Sequence, residues 1–293
     1  MNNITKTLIS ISLLFQYACN NADPSAKTVS TTPVKIENQG VNIVYSDSKT
    51  GDTVLLFIHG WAIDQSYWAN QVAFFSKKYR VVTLDLPGFG QSGKNRTSWT
   101  VEDYGKDVSA VLTSLNLKNV VLIGHSMSGA IAVETAITNP SRIIGVVGVD
   151  NFKKYGVVET PESKVAYAEF YNAMKTKYKA AVTGYINQYL FSLSTDSLTR
   201  KRILNDMTSA DSLIAVDCLE KNEQYPLDEK LKYWKNPVYA INSDMWPNDT
   251  ASFRNNNIEY ILFNIGPTGH YPMIEKPNEF NVLLQQVMGK IGK

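Results

Sequence analysis

Seven short apolar, β-branched runs punctuate the chain: "VNIVY" at 41–45, "TVLLFIHG" at 53–60, "RVVTLD" at 80–85, "NVVLIG" at 119–124, "IIGVVGVD" at 143–150, "PVYAIN" at 237–242 and "IEYILFNIG" at 258–266. Continuous apolar runs of this length suit strands buried on both faces, as in a parallel sheet covered by helices. The segments between them carry helical patterning. "WTVEDYG" places Thr100 as an N-cap with Asp103 three residues on, and lets Trp99 pack on Tyr104 as a hydrophobic staple. The expected class is α/β, a mostly parallel central sheet with helices on both faces. After Asp150 the strand rhythm stops for about 85 residues, too long for a simple crossover, and helical periodicity takes over until Pro237. Thr160-Pro161 reads as a helix start. Tyr167, Phe170, Tyr171 and Met174 then share one face, and Tyr178, Val182, Tyr185 and Tyr189 share the face of a second helix. Such an aromatic stripe packs onto the body of the protein, and some of its rings can roof an apolar pocket.

Composition narrows the picture. A chain of 293 residues with 44% hydrophobic and 19% charged residues can bury a substantial core, so one large globular domain with an insertion is expected. The formal net charge of +2 and the lack of a long Lys/Arg run argue against a nucleic-acid partner. At the N-terminus, Lys6 precedes an apolar stretch too short for a spanning helix, which needs about 20 residues. A small residue and a cysteine follow, Ala18-Cys19, and the whole reads as a secretory signal resembling that of a bacterial lipoprotein, in which Cys19 is lipidated. Residues 1–18 are thus expected as signal peptide and 19–40 as a polar tether. Core segments at 41–150 and 236–293 then flank the helical insertion at 151–235. Export follows, with membrane contact through the lipid anchor alone; the alternative is ordinary cleavage nearby and a soluble periplasmic or secreted protein. Cys218 reads as a buried helical thiol, which leaves the mature domain without an internal disulfide, and no zinc-type Cys or His cluster is present.

The chemistry gathers at "GHSMSGA", Gly124 to Ala130, where a strand runs straight into a helical pattern. A sharp strand-to-helix turn exposes the Oγ of Ser126 and sets the Met127 N–H at a helix N-terminus, whose partial positive charge favours a developing oxyanion. Such a turn tolerates only small neighbours on its crowded side, here Gly124, Ser128 and Gly129; the fifth motif position is Ser128 where glycine is usual. A second glycine motif, "GFGQSG" at Gly88–Gly93, spells a dinucleotide fingerprint, but the polar "KNRTSWT" follows and no helix is expected before Thr100, so it is read as a turn.

With "HGWAIDQSYW" after the strand "LLFI", "DLPGFGQS", the long helical insertion and "GHYPMIEKP" near the end, the elbow makes the chain resemble the α/β-hydrolase superfamily over roughly residues 41–293. The resemblance implies that the insertion is a helical cap and that the Trp61 N–H is a second oxyanion donor beside Met127. Of the three histidines, His125 adjoins Ser126 on a turn where neighbours diverge and reads as packing, and His59 reads as a prop of the oxyanion loop. His270, in a glycine-flanked loop after the last strand, is the candidate base. The superfamily usually supplies the acid after the strand that ends before Asp244, which is the first expectation. Asp150, at the end of the preceding strand, is the alternative used by some cap-bearing relatives. Glu275 is expected to brace the histidine loop. A serine at the elbow sets aside the dehalogenases and epoxide hydrolases of this fold, which use an aspartate there. The expected activity is hydrolysis of a small apolar acyl ester through Ser126, His270 and an aspartate, with no metal or organic cofactor. C–C bond hydrolysis, cofactor-free perhydrolysis and non-catalytic ligand binding remain open alternatives.

Overall fold

A computed structural model describes residues 34–156 and 160–291. The expected signal peptide, Cys19 and the first part of the tether lie outside the described residues. Eight strands form one sheet: β1 (Val34–Asn38), β2 (Val41–Asp47), β3 (Val54–Ile58), β4 (Arg80–Leu84), β5 (Val120–His125), β6 (Ile143–Val149), β7 (Val238–Ser243) and β8 (Tyr260–Gly266). Their spatial order is β1-β2-β4-β3-β5-β6-β7-β8, antiparallel through β1, β2 and β4 and parallel from β4 onward. Every residue of β3, β5 and β7 is buried, as continuous apolar runs require of strands covered on both faces.

Ten α-helices and a 3-10 turn (Gln65–Trp68) accompany the sheet among the described residues: α1 (Ala69–Phe75), α2 (Val101–Ser114), α3 (Ser128–Thr138), α4 (Pro161–Tyr189), α5 (Ser197–Ser209), α6 (Ser212–Glu223), α7 (Leu227–Leu231), α8 (Thr250–Asn255), α9 (Pro272–Glu275) and α10 (Pro277–Ile291). The α/β architecture matches expectation. Thr100 and Asp103 close a reciprocal capping box at α2, and the Trp99 and Tyr104 rings lie 6.4 Å apart. Helices α4 to α7 make up the insertion between β6 and β7.

Two local features differ from expectation. Part of the segment read as tether is β1, an edge strand in which Ile36 alone is buried. A strand that buries a single side chain needs no apolar run, so alternation over five residues gave no signal. The two aromatic faces expected on separate helices lie on one 29-residue helix, α4, interrupted only at Lys177 (φ −139°, ψ 51°). Tyr171, Met174, Val182 and Ile186 are its buried residues, and Tyr185 meets Trp61 edge-on at 6.4 Å.

The parallel strands β3, β5 and β6 are neighbours and all end at the same edge of the sheet. Open α/β sheets bind ligands outside the carboxyl ends of such strands, and the residues following these three carry the side chains described next.

Candidate active site

Ser126 occupies the turn between β5 and α3 with φ 53°. A non-glycine residue held in the left-handed region costs on the order of 1–3 kcal/mol and persists only where its surroundings over-determine it. They do so here: the Ser126 N–H donates to the Val149 carbonyl at 2.9 Å, and the Ser126 carbonyl accepts from the Gly129 N–H at 2.9 Å and from Asn151 Nδ2 at 2.9 Å. The small neighbours are obligatory. A Cβ on Gly124 would stand 2.2 Å from the Ser128 carbonyl oxygen, and one on Gly129 would stand 1.9 Å from Asn151 Nδ2. Ser128 stands where glycine is usual, and its buried hydroxyl donates to the carbonyl of His59, joining the helix start to the loop after β3.

His270 Nε2 lies 2.7 Å from Ser126 Oγ, and His270 Nδ1 lies 2.6 Å from Asp150 Oδ2. The chain reaches this position because the His270 N–H donates to the carbonyl of Leu190, the residue after α4, at 2.9 Å. Glu275 holds the loop as expected: its Oε2 accepts from the Gly269 N–H at 2.9 Å and from Thr195 Oγ1 at 2.8 Å.

The structure brings Asp150, and not Asp244, to His270. Asp244 follows β7 with an exposed side chain, and its N–H bonds the Gly266 carbonyl at 3.3 Å. Asp150 faces His270 instead, because β6 lies directly beside β5 and the turn at Asp150 (φ 48°) brings its carboxylate to the end of the neighbouring strand. What β7 contributes is Ser243, whose N–H (3.0 Å) and Oγ (2.7 Å) donate to Asp150 Oδ1. Lys153 Nζ joins them at 2.8 Å. Burial opposes ionisation of Asp150, but the bond to His270 and the charges of His270 and Lys153 outweigh it and hold this carboxyl well below the usual range.

The remaining histidines act on the backbone. His59 Nδ1 donates to the Gly60 carbonyl at 2.7 Å while Nε2 accepts from the Leu86 N–H at 2.9 Å, and complete burial lowers its pKa. His125 does more than pack: its Nε2 donates to the His270 carbonyl at 2.8 Å, and burial together with the nearby His270 lowers its pKa to about 3, so it stays neutral. Trp61 is buried, and its indole Nε1 donates to the Ala215 carbonyl of α6 at 2.7 Å. Neither the Trp61 nor the Met127 N–H donates to another backbone carbonyl among the described residues. The glycine motif at Gly88–Gly93 is a turn, with Gly88 at φ 93° and Gly90 folded against the Asp85 carboxylate. Cys218 is buried in α6, and burial pushes its thiol up to about 12.

Asn151, Lys153 and Ser243 went unread in the sequence. Lys153 stands three residues after a candidate acid, a spacing that could have flagged it; nothing local marks the other two. A cavity of about 220 Å³ opens over Ser126, lined also by Met127, Phe152, Asn222, Glu223 and Leu227. No cluster of three or more His, Cys, Asp or Glu side chains suited to a metal occurs among the described residues.

The family described as alpha/beta hydrolase fold matches residues 53–277, and the chain belongs to that family. Among relatives, it is 26% identical over 272 residues to a 2-hydroxy-6-oxononadienedioate/2-hydroxy-6-oxononatrienedioate hydrolase of Paraburkholderia phymatum, covering 85% of this chain and 92% of that protein. It is 36% identical over 110 residues to the hydrolase YugF of Bacillus subtilis, a match that spans 37% of this chain and only 40% of YugF. The fold superposes on a thermophilic esterase from Thermogutta terrifontis with a TM-score of 0.75 at 21% identity, over 89% of this chain and 99% of the other.

Proposed function

We propose that the protein is a serine hydrolase that cleaves small, uncharged carboxylic esters through a covalent acyl-enzyme. The observation that carries this reading is the continuous hydrogen-bonded line from Asp150 Oδ2 through both nitrogens of His270 to Ser126 Oγ, at 2.6 and 2.7 Å. In the first step Ser126 Oγ attacks the ester carbonyl carbon as its proton passes to His270 Nε2. The N–H groups of Trp61 and Met127 receive the resulting oxyanion, and Asp150 stabilises the imidazolium and fixes the Nδ1–H tautomer. His270 then gives the proton to the departing alcohol as the tetrahedral intermediate collapses. In the second step His270 takes a proton from water, which attacks the acyl carbon, and Ser126 leaves with that proton as the carboxylic acid is released. Helices α4 to α7 serve as a cap over the site.

The cavity favours neutral substrates. Its lining carries two carboxylates, Asp150 and Glu223, and two amides, Asn151 and Asn222, with no Lys or Arg among the described lining residues. Its volume of about 220 Å³ suits a short acyl group. The compound in the name of the Paraburkholderia relative is a dioate, and the described cavity lining offers no Lys or Arg to pair a second carboxylate. The expected result with p-nitrophenyl esters is therefore a kcat/KM for acetate or butyrate at least roughly tenfold above that for the anionic hemisuccinate. Equal or faster turnover of the hemisuccinate would contradict this substrate class.

The proposal extends to location: export, and a lipid anchor on Cys19. Lys6, the apolar stretch and Ala18-Cys19 support it. Cys19→Ser should move the protein from the membrane to the soluble fraction; unchanged membrane association would refute lipidation at that residue.

A further inference from the structure

We propose that Lys153 is a positioning residue that sets the acid limit of the reaction, by drawing part of the Asp150 charge away from His270. The inference rests on the Ser126–His270–Asp150 reading above. Its basis is the division of labour between the two carboxylate oxygens. Oδ2 serves His270, whereas Oδ1 accepts from the Ser243 N–H, from Ser243 Oγ and from Lys153 Nζ. The two Ser243 donors already satisfy Oδ1 and orient the carboxylate. Lys153 adds something they do not, a full positive charge 2.8 Å from the buried oxygen.

The local backbone is shaped to deliver it. Asp150 (φ 48°) and Phe152 (φ 49°) both lie in the left-handed region, so the chain leaving β6 doubles back and its fourth residue meets its first. Lys153 Nζ also donates to the Ser243 carbonyl at 3.1 Å, which fixes the ammonium between the ends of β6 and β7. Its side chain is 19% exposed and that of Asp150 is fully buried, so solvent screens the pair only weakly.

A carboxylate stabilises an adjacent imidazolium, and a cation on the same carboxylate weakens that hold. Lys153 and His270 thus share the charge of one carboxylate, so the acid limit of the reaction lies lower with the ammonium in place than without it. The other titratable groups facing the pair do not substitute for Lys153. His125, whose ring lies 4.9 Å from that of His270, is held neutral by burial. His59 bonds Gly60 and Leu86, Tyr271 bonds the Met207 sulfur, and Tyr260 lies beside Asn242 behind Asp150. Glu275 on α9 is committed to the Gly269 and Tyr271 N–H groups, and Glu223 on α6 lines the cavity. None of these is a cation on Asp150.

The test is the pH dependence of kcat/KM on a short p-nitrophenyl ester for the wild type, Lys153→Met, Lys153→Gln and Lys153→Arg, with Ser126→Ala run in parallel and melting curves for all. Removing the charge should move the acid limb upward by about one pH unit, so that activity well below the limb falls roughly tenfold while the alkaline plateau is kept or raised. Lys153→Arg should restore the wild-type limb. Lys153→Gln retains a donor to Ser243 and Asp150, which keeps a folded neutral variant available if the methionine variant does not fold. An unmoved acid limb in a folded neutral variant would overturn the role given to Lys153, as would an arginine variant shifted as far as the neutral ones. Full activity of Ser126→Ala would instead remove the underlying triad, and this inference with it.

Discussion

Ser126→Ala is expected to lower kcat on a p-nitrophenyl ester by about 10⁶-fold, close to the loss seen when the nucleophile of a triad is deleted. The size of the effect follows from the covalent mechanism: without Oγ no acyl-enzyme forms, and only oriented binding and oxyanion stabilisation remain. Losing a single oxyanion donor costs about 10²- to 10³-fold, so the two kinds of defect are separable in one assay. The fold should survive the change, because the elbow is held by the backbone of Ser126 and by Asn151, not by the hydroxyl. Labelling by a fluorophosphonate probe should be lost in parallel, since only an activated serine reacts readily. A wild-type protein that failed to label would favour the rival reading of a ligand-binding protein built on this fold. Retention of most ester turnover by Ser126→Ala would refute the mechanism.

Asp150→Asn should reduce kcat by about 10⁴-fold, whereas Asp244→Asn should stay within about twofold of wild type. The first change replaces an acceptor of the His270 Nδ1–H by an amide that can bond the wrong tautomer, and it strips the imidazolium of its counter-charge. It also leaves the Lys153 ammonium, which is 19% exposed, facing a neutral group. The second change alters an exposed side chain beyond the end of β7. Two mild defects would contradict the assignment of Asp150. Stability supplies an independent readout. Because the folded-state pKa of Asp150 is depressed, its ionised form stabilises the native state above the ordinary carboxylate range of about 3.9, and that contribution is lost as pH falls toward the depressed value. The gap in melting temperature between wild type and Asp150→Asn should therefore be widest near neutral pH and close as the medium is acidified below about pH 4.

Local signals explain what the sequence revealed. The strand runs, the capping box at Thr100 and the elbow at Ser126 each depend on residues within a few positions of one another, and each stands where its pattern indicated. The choice between Asp150 and Asp244 depended on something non-local. Both follow apolar strands, and which of them meets His270 is decided by strand order, with β6 next to β5, and by the turn at Asp150. Ser243 and Asn151 escaped notice for the same reason, since their partners stand 93 and 25 residues away. Strand β1 was missed for a different reason, because an edge strand that buries one residue carries little hydrophobic signal.

The Trp61 indole, bonded to the Ala215 carbonyl and packed edge-on against Tyr185, ties the loop after β3 to α4 and α6. A chimera given a foreign insertion would lose both contacts that hold the Trp61 side chain, as well as gaining a new roof. Retuning specificity by swapping that segment therefore has to carry a tryptophan-compatible carbonyl and ring along with it.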